Sequence, residues 1–158
     1  MPEKLRPSVL KVVAALREAG VIADVVVLTD AAPTAATAAA QLGCEIGAIA
    51  NSLIFEADGE PLLVLTSGAH RVDTGLIAGL VGVSTVRRAT PEFVKAVTGQ
   101  TIGGVAPVGH PAPIRTLVDT WLGKHEVVWA AAGHAHTVFP TTFDTLVRIT
   151  GGTPADVA

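Results

Sequence analysis

The run Ile102-Gly103-Gly104-Val105-Ala106-Pro107-Val108-Gly109-His110-Pro111 holds the residues whose types and spacing point most directly to chemistry. Three glycines and two prolines in ten residues can extend neither a helix nor a central strand. Glycine lets the backbone approach a ligand closely, and proline stiffens the path. A stiff loop presenting backbone N–H groups suits a carbonyl oxygen or the oxyanion that develops from it, although a tight structural crossover has the same composition. A second constellation is His134-Ala135-His136. Alternate residues of a strand face one side, so this pair, joined by His110 or Asp73, could ligate a metal and activate a water. The spacing falls short of a specific zinc signature, and exposed or structural histidines are the ordinary alternative; His70 lies elsewhere. Ser52 and Ser67 sit in no nucleophile-elbow pattern. Trp121 and Trp129 could each stack on a nucleobase, with core packing the stronger expectation for Trp129 among its apolar neighbours.

Around these residues the pattern predicts interleaved helices and strands. Val9, Val12, Val13 and Leu16 recur at helical spacing, and Gly20 is a suitable stop. Residues 25–28 read as a buried strand. Thr34, after Pro33, can cap an alanine-rich helix that stops at Gly43. Residues 52–55 and 62–65 flank Asp58-Gly59, a hairpin signal. After a loop at residues 66–68, Asp73 can cap a helix holding Leu76, Ile77 and Leu80, with Arg71 as its partner or that of a loop carbonyl. Thr90-Pro91-Glu92 starts another helix, which ends at Gly99. Strands follow near residues 114–118, 127–131 and 138–139, then a helix over 143–149 and Gly151-Gly152. Because the order lacks strict βαβ alternation, a mixed sheet with helices around it is expected, in one domain spanning residues 1–158.

Composition narrows the function classes. The chain has 158 residues and is 49% hydrophobic, enough for one sizeable core, and the excess is mostly Ala and Val. No stretch reaches the ~18 apolar residues of a membrane-spanning helix, and Met1-Pro2-Glu3-Lys4 lacks a secretory layout, so a cytoplasmic location without membrane contact is expected. The single Cys44 reads as a small buried residue in a reducing compartment. A net charge of −3 argues against a wide basic surface for nucleic acid, but not against a pocket for one end of it. Arg87, Arg88, Arg115 and Lys124 are scattered, as on a solvated surface.

The loop at residues 102–110 resembles the glycine-and-proline signature of the YbaK family of aminoacyl-tRNA editing domains, relatives of the ProX-like prolyl-tRNA deacylases. Other pieces match in order: Thr34-Ala35, Ala38-Ala39 and Gly43; residues 49–55; Ser67-Gly68 with Arg71 and Asp73; Val128-Trp129-Ala130-Ala131-Ala132-Gly133; and residues 142–151. The resemblance implies an α/β fold of the α+β type: a mixed, partly barrel-like β-sheet surrounded by helices, with a pocket beneath the loop. It implies hydrolysis of the ester joining a wrongly attached small amino acid to the terminal adenosine of a tRNA, with no metal and no organic cofactor. Gly104 is the expected main oxyanion donor, with Gly103 beside it and Asn51 opposite. Pro107, Gly109, His110, Gly133, His134 and Ser67 are the expected substrate-binding positions. The expected partners are the acceptor end of an aminoacyl-tRNA and a synthetase; the oligomeric state stays open, a homodimer included.

At one position the chain departs from that pattern. Family deacylases commonly carry a lysine where this chain has Asn51. An amide can orient a carbonyl or an α-amino group but cannot neutralise an oxyanion by charge. Two expectations follow: a deacylase of altered specificity, or a module that binds aminoacyl-tRNA or a synthetase without efficient hydrolysis. A metal hydrolase built on His134 and His136 is a third.

Overall fold

The computed structural model describes residues 6–30 and 34–158, so the readings on Met1-Pro2-Glu3-Lys4 and on Pro33 lie outside the described residues. Helix α1 (Pro7–Glu18) carries proline in its first turn, where a missing N–H costs nothing, and buries Val9, Val12 and Leu16. The run at residues 25–28 forms only β1 (Val26–Val27), a two-residue strand pairing β7 (Thr137–Thr141). It is not a buried strand: Val27 is 40% exposed at the sheet's end, and only Leu28 of the run is buried. β-branched composition set the propensity there, but an edge position set the burial.

Helix α2 (Ala35–Leu42) is capped as expected, with the Thr34 hydroxyl accepting the Thr37 N–H at 3.2 Å. The hairpin is β2 (Ile49–Ala57) and β3 (Glu60–Ser67), antiparallel from Ala57↔Glu60 to Ala50↔Ser67. Its two-residue turn requires positive φ at both positions, and Asp58 (φ 50°) and Gly59 (φ 87°) supply it. Asp58 does more than turn the chain: its carboxylate accepts the N–H groups of Ser84 and Thr85. Strand β3 also runs on through Thr66 and Ser67, two of the residues expected in a loop.

Asp73 caps α3 (Thr74–Val81) through the Leu76 N–H at 3.1 Å, and Thr90 caps α4 (Pro91–Thr98) through that of Phe93. The sequence reading missed β4 (Val86–Arg88), a short exposed strand. Strands β5 (Arg115–Asp119) and β6 (Val128–Ala131) and helix α5 (Phe143–Thr150) stand where expected; β8 (Thr153–Ala155), too short to show a period, does not appear in the sequence pattern.

The strands form one eight-stranded mixed sheet in the order β1-β7-β6-β2-β3-β5-β8, with β4 joined to β2. Strand alternation divides its side chains. Ile54, Leu63 and Leu65 join Phe139 of β7 and the α1, α4 and α5 cluster of Val9, Val12, Leu16, Val94 and Leu146. Phe55, Leu62 and Val64 face the other way, onto Ile77 and Val81 of α3. Each such buried side chain contributes about 1.5–3 kcal/mol relative to exposure, so the hairpin, apolar on both faces, anchors both layers. Alanines 35, 38 and 39 of α2 cover Ile49 and part of Trp129. Among the described residues no helix is long and apolar enough to cross a membrane.

Candidate functional site

Strand β2 has two partners on the edge away from β3, and they leave a gap. β6 meets it at Ile49 and Ala50, and β4 meets it at Phe55, Glu56 and Ala57. Residues 51–53 between them have no strand alongside. Ala89 donates its N–H to the Ile54 carbonyl on this edge at 3.2 Å, so the strand's alternation turns the Ser52 N–H and C=O the same way. The Ser52 hydroxyl is buried and, among the described residues, has no hydrogen-bond partner.

A cleft of about 570 Å³ opens at the gap, within the size range of small-molecule sites. Asn51, Ser52 and Leu53 line it from β2, and Thr66, His70 and Arg71 from β3 and the turn beyond. Ala35 and Ala38 of α2 join Trp129 and Ala131 of β6, while Ile102, Gly103 and Val105 enter from the loop. Trp129 therefore both packs on the alanine cluster and lines the cleft. Arg88 lines it too, with its guanidinium 5.8 Å from the Phe55 ring centre. The other scattered cations are engaged elsewhere. Arg87 pairs with Glu56, Arg115 donates to the Val81 carbonyl, and the Lys124 ammonium sits 3.4 Å from the Trp121 ring centre.

The glycine-rich loop is held from inside. Buried Gln100 accepts the Ala106 N–H at 2.7 Å and donates to the Val108 carbonyl at 3.3 Å. The His110 Nε2–H donates to the Ala106 carbonyl at 2.8 Å, and burial pushes the His110 imidazole below its ordinary value, that bond opposing. Gly103 has φ 92° and faces the cleft. Gly104, the expected main oxyanion donor, has its N–H engaged within the loop and does not line the cleft. Its N–H donates to the Thr101 carbonyl at 3.1 Å, and a Cβ there would lie 2.6 Å from the His134 carbonyl carbon. Gly109 and Gly133 both press on α1, where a Cβ on either would meet Val12 Cγ2 at 3.2 Å.

Of the expected site residues, the structure thus brings Asn51 and Gly103 together at the cleft. Gly104, Pro107, Gly109, His110, Gly133 and His134 do not line it. His134 takes the His136 N–H on its Nδ1 and stacks on that ring at 5.3 Å; burial, helped by Arg6 and His136, lowers its proton affinity. With Asp73 committed to its cap, the described residues include no group of three acidic, histidine or cysteine side chains placed to hold a metal. Ser67 is fully buried; its hydroxyl donates to the Gly47 carbonyl at 2.8 Å and accepts the Ala69 N–H. Cys44 is half-buried against α2, and desolvation raises its thiol.

The family model for the aminoacyl-tRNA editing domain matches residues 29–149. This chain belongs to that family. The crystal structure of a candidate trans-editing enzyme for prolyl-tRNA synthetase superposes with a TM-score of 0.91 at 40% identity, covering 98% of both chains. The proline–tRNA ligase of Nitratidesulfovibrio vulgaris is 35% identical over 101 residues, 64% of this chain and 17% of the ligase. That of Geobacter sulfurreducens is 33% identical over 95 residues, 60% of this chain and again 17% of the ligase. The matched stretch is thus less than a fifth of each ligase's length. The mixed sheet surrounded by helices is the editing-domain fold.

The editing domain contains a pairing that the sequence reading missed. His70 Nδ1 lies 2.8 Å from Oδ2 of Asp119, which is fully buried at the end of β5. The same oxygen accepts the Ser67 N–H at 2.9 Å and the Thr66 hydroxyl at 3.4 Å, and Oδ1 accepts the Trp121 N–H at 3.0 Å. The His70 ring packs on the half-exposed Trp121 with centres 4.7 Å apart. The one signal available beforehand was an acidic residue directly after the apolar pair Leu117-Val118 at the end of a strand. Nothing in the spacing ties it to a histidine 49 residues away.

Proposed function

We propose that the chain is a trans-editing deacylase: it hydrolyses the ester joining a small amino acid to the terminal adenosine of a mischarged tRNA. One observation carries this reading. In an editing-family chain, the cleft opens on the free edge of β2 at residues 51–53, and one part of its lining is the small side chains of Ala35, Ala38, Ala50 and Ala131 with Gly103. A compact aminoacyl group fits such walls, and discrimination by size is the usual basis of editing. Ser52, with its backbone N–H and C=O turned to the gap, supplies a donor and an acceptor for the ester and α-amino group. Asn51 supplies a neutral amide. Arg71 and Arg88 at the cleft suit the phosphates of the acceptor end, which a chain of net charge −3 grips locally and not along its length. The proposal takes residues 1–158 as one editing domain, working in the cytoplasm beside a synthetase and using no metal.

The second reading rests on Asn51: without charge at this position the cleft binds aminoacyl ends and turns them over poorly. Incubation with tRNAs charged with alanine, serine, threonine, cysteine or proline decides between them. Turnover of one or two small aminoacyl esters is the expected result. Silence across the panel, with N51K gaining activity, establishes the binding module instead.

A further inference from the structure

Ester hydrolysis is accelerated, by about 10²–10⁴-fold, when a positioned group takes a proton from water as its oxygen attacks. Asn51 cannot do so, and neither can the threonines, arginines or apolar side chains that line the cleft. Among the described lining residues, His70 is the one side chain whose chemistry includes accepting a proton and giving it back. We propose that His70 is the general base and acid of this site, oriented by Asp119. The inference rests on the deacylase reading above.

The geometry carries it in three steps. Every other contact to the Asp119 carboxylate comes from a donor, the Ser67 and Trp121 N–H groups and the Thr66 hydroxyl. Asp119 is therefore an acceptor at the 2.8 Å contact, and the His70 Nδ1 carries the hydrogen. That fixes the tautomer and leaves Nε2 with its lone pair; among the described residues no group hydrogen-bonds to it. Trp121 on one side and the turn after β3 on the other hold the ring, whose side chain is 23% exposed, at the cleft wall.

The step balances without a cofactor. Nε2 takes one proton from water while the water oxygen bonds to the ester carbonyl carbon, and the carbonyl π pair moves to oxygen. When that pair returns, the bond to the ribose oxygen breaks and Nε2–H delivers its proton there, leaving the amino acid and a free ribose hydroxyl. Asp119 never loses contact with Nδ1–H and acts as a positioning residue. Other charges near the ring come from its own turn, Arg71, and from the turn after β5, Lys124 over the Trp121 ring. Farther off, His125 lies 3.7 Å from Glu45 and beside Gly47, which accepts the Ser67 hydroxyl.

H70N is the deciding variant, because its amide N–H can replace Nδ1–H against Asp119 while offering no base. With whichever panel aminoacyl-tRNA the wild type hydrolyses, kcat is expected to fall by about 100-fold or more with KM little changed. The acid limb of the wild-type pH profile is expected to vanish. H70A with added imidazole is expected to regain activity in proportion to the free base, and it decides the question alone if H70N melts below assay temperature. A kcat within threefold of wild type and an unchanged pH profile overturn the base, as does a loss confined to KM or an H70A variant that imidazole does not rescue. A wild type silent on the whole panel overturns the deacylase and the base together, whereas an active wild type with an unaffected H70N removes the base alone.

Discussion

Gly103 and Gly104 are adjacent and chemically identical, yet they belong to different regions. Gly103 turns with positive φ at the cleft; Gly104 has spent its N–H on Thr101 and lies flat against the backbone of residues 134 and 135. Gly104 marks a seam, where the loop, α1 and the turn after β6 touch backbone to backbone, and Gly109, Gly133 and His134 belong to it, with His110 tying the loop to itself at Ala106 beside them. Gly103 marks the cleft, with Asn51, Ser52, His70 and Arg71. A seam needs glycine because a methyl does not fit, and a binding loop needs it so that a ligand can come close. Composition is the same in both cases, so only the neighbours distinguish them.

The largest effect that tests this division is expected at Asp119. D119A leaves the Ser67 and Trp121 N–H groups and the His70 Nδ1–H without their buried acceptor, and should cost about 1–3 kcal/mol for each donor left buried. Denaturant unfolding measures it. A loss below about 1 kcal/mol would show that the end of β5 does not organise the cleft wall.

The two glycines come next. G104A pushes a methyl into the peptide at residues 134 and 135 and should destabilise by about 1–3 kcal/mol or more, since backbone must move. G103A strains a positive φ for about 1–2 kcal/mol. Its larger signature is in kcat/KM, expected to drop at least about tenfold, because displacing a reacting group by about an ångström costs up to about 100-fold. Thermal melts and deacylation assays on both variants separate the regions. Equal losses of stability and rate in the two would merge them.

Much of the fold could be read in advance for local reasons. The caps at Thr34, Asp73 and Thr90, the turn at Asp58-Gly59 and the period of α1 are short-range devices, and each acts as its residue type predicts. What failed depends on distant partners. β1 is exposed because it lies at the end of the sheet, and β4 and β8 exist because β2 and β5 offer free edges. The site follows the same division. Gly103, from its glycine-and-proline loop, and Asn51, from the place where related deacylases commonly carry lysine, were named from short local stretches and both line the cleft, whereas the Ser52 gap is a property of where β4 and β6 stop. His70 and Asp119 come together only because β3 and β5 run parallel, in register from Leu62↔Arg115 to Leu65↔Val118, and so finish side by side.

The smallest expected effect concerns the histidine beside the seam. Burial favours the neutral imidazole of His110, so its folded-state value lies below the ordinary 6.5, and the unfolded chain binds the proton more readily. Its contribution to stability is therefore complete above about pH 6.5 and declines as pH falls through the window beneath it. H110Q keeps a donor for the Ala106 carbonyl and removes the titration. Melts between pH 7.5 and pH 5 should show the wild-type Tm falling more steeply than that of H110Q, while deacylation at neutral pH stays close to wild type, on the order of twofold or less, as expected of a residue outside the cleft. Parallel Tm curves would mean that the seam admits water to His110. A large loss of rate at neutral pH would carry the boundary between seam and cleft past Gly104 to the far end of the loop.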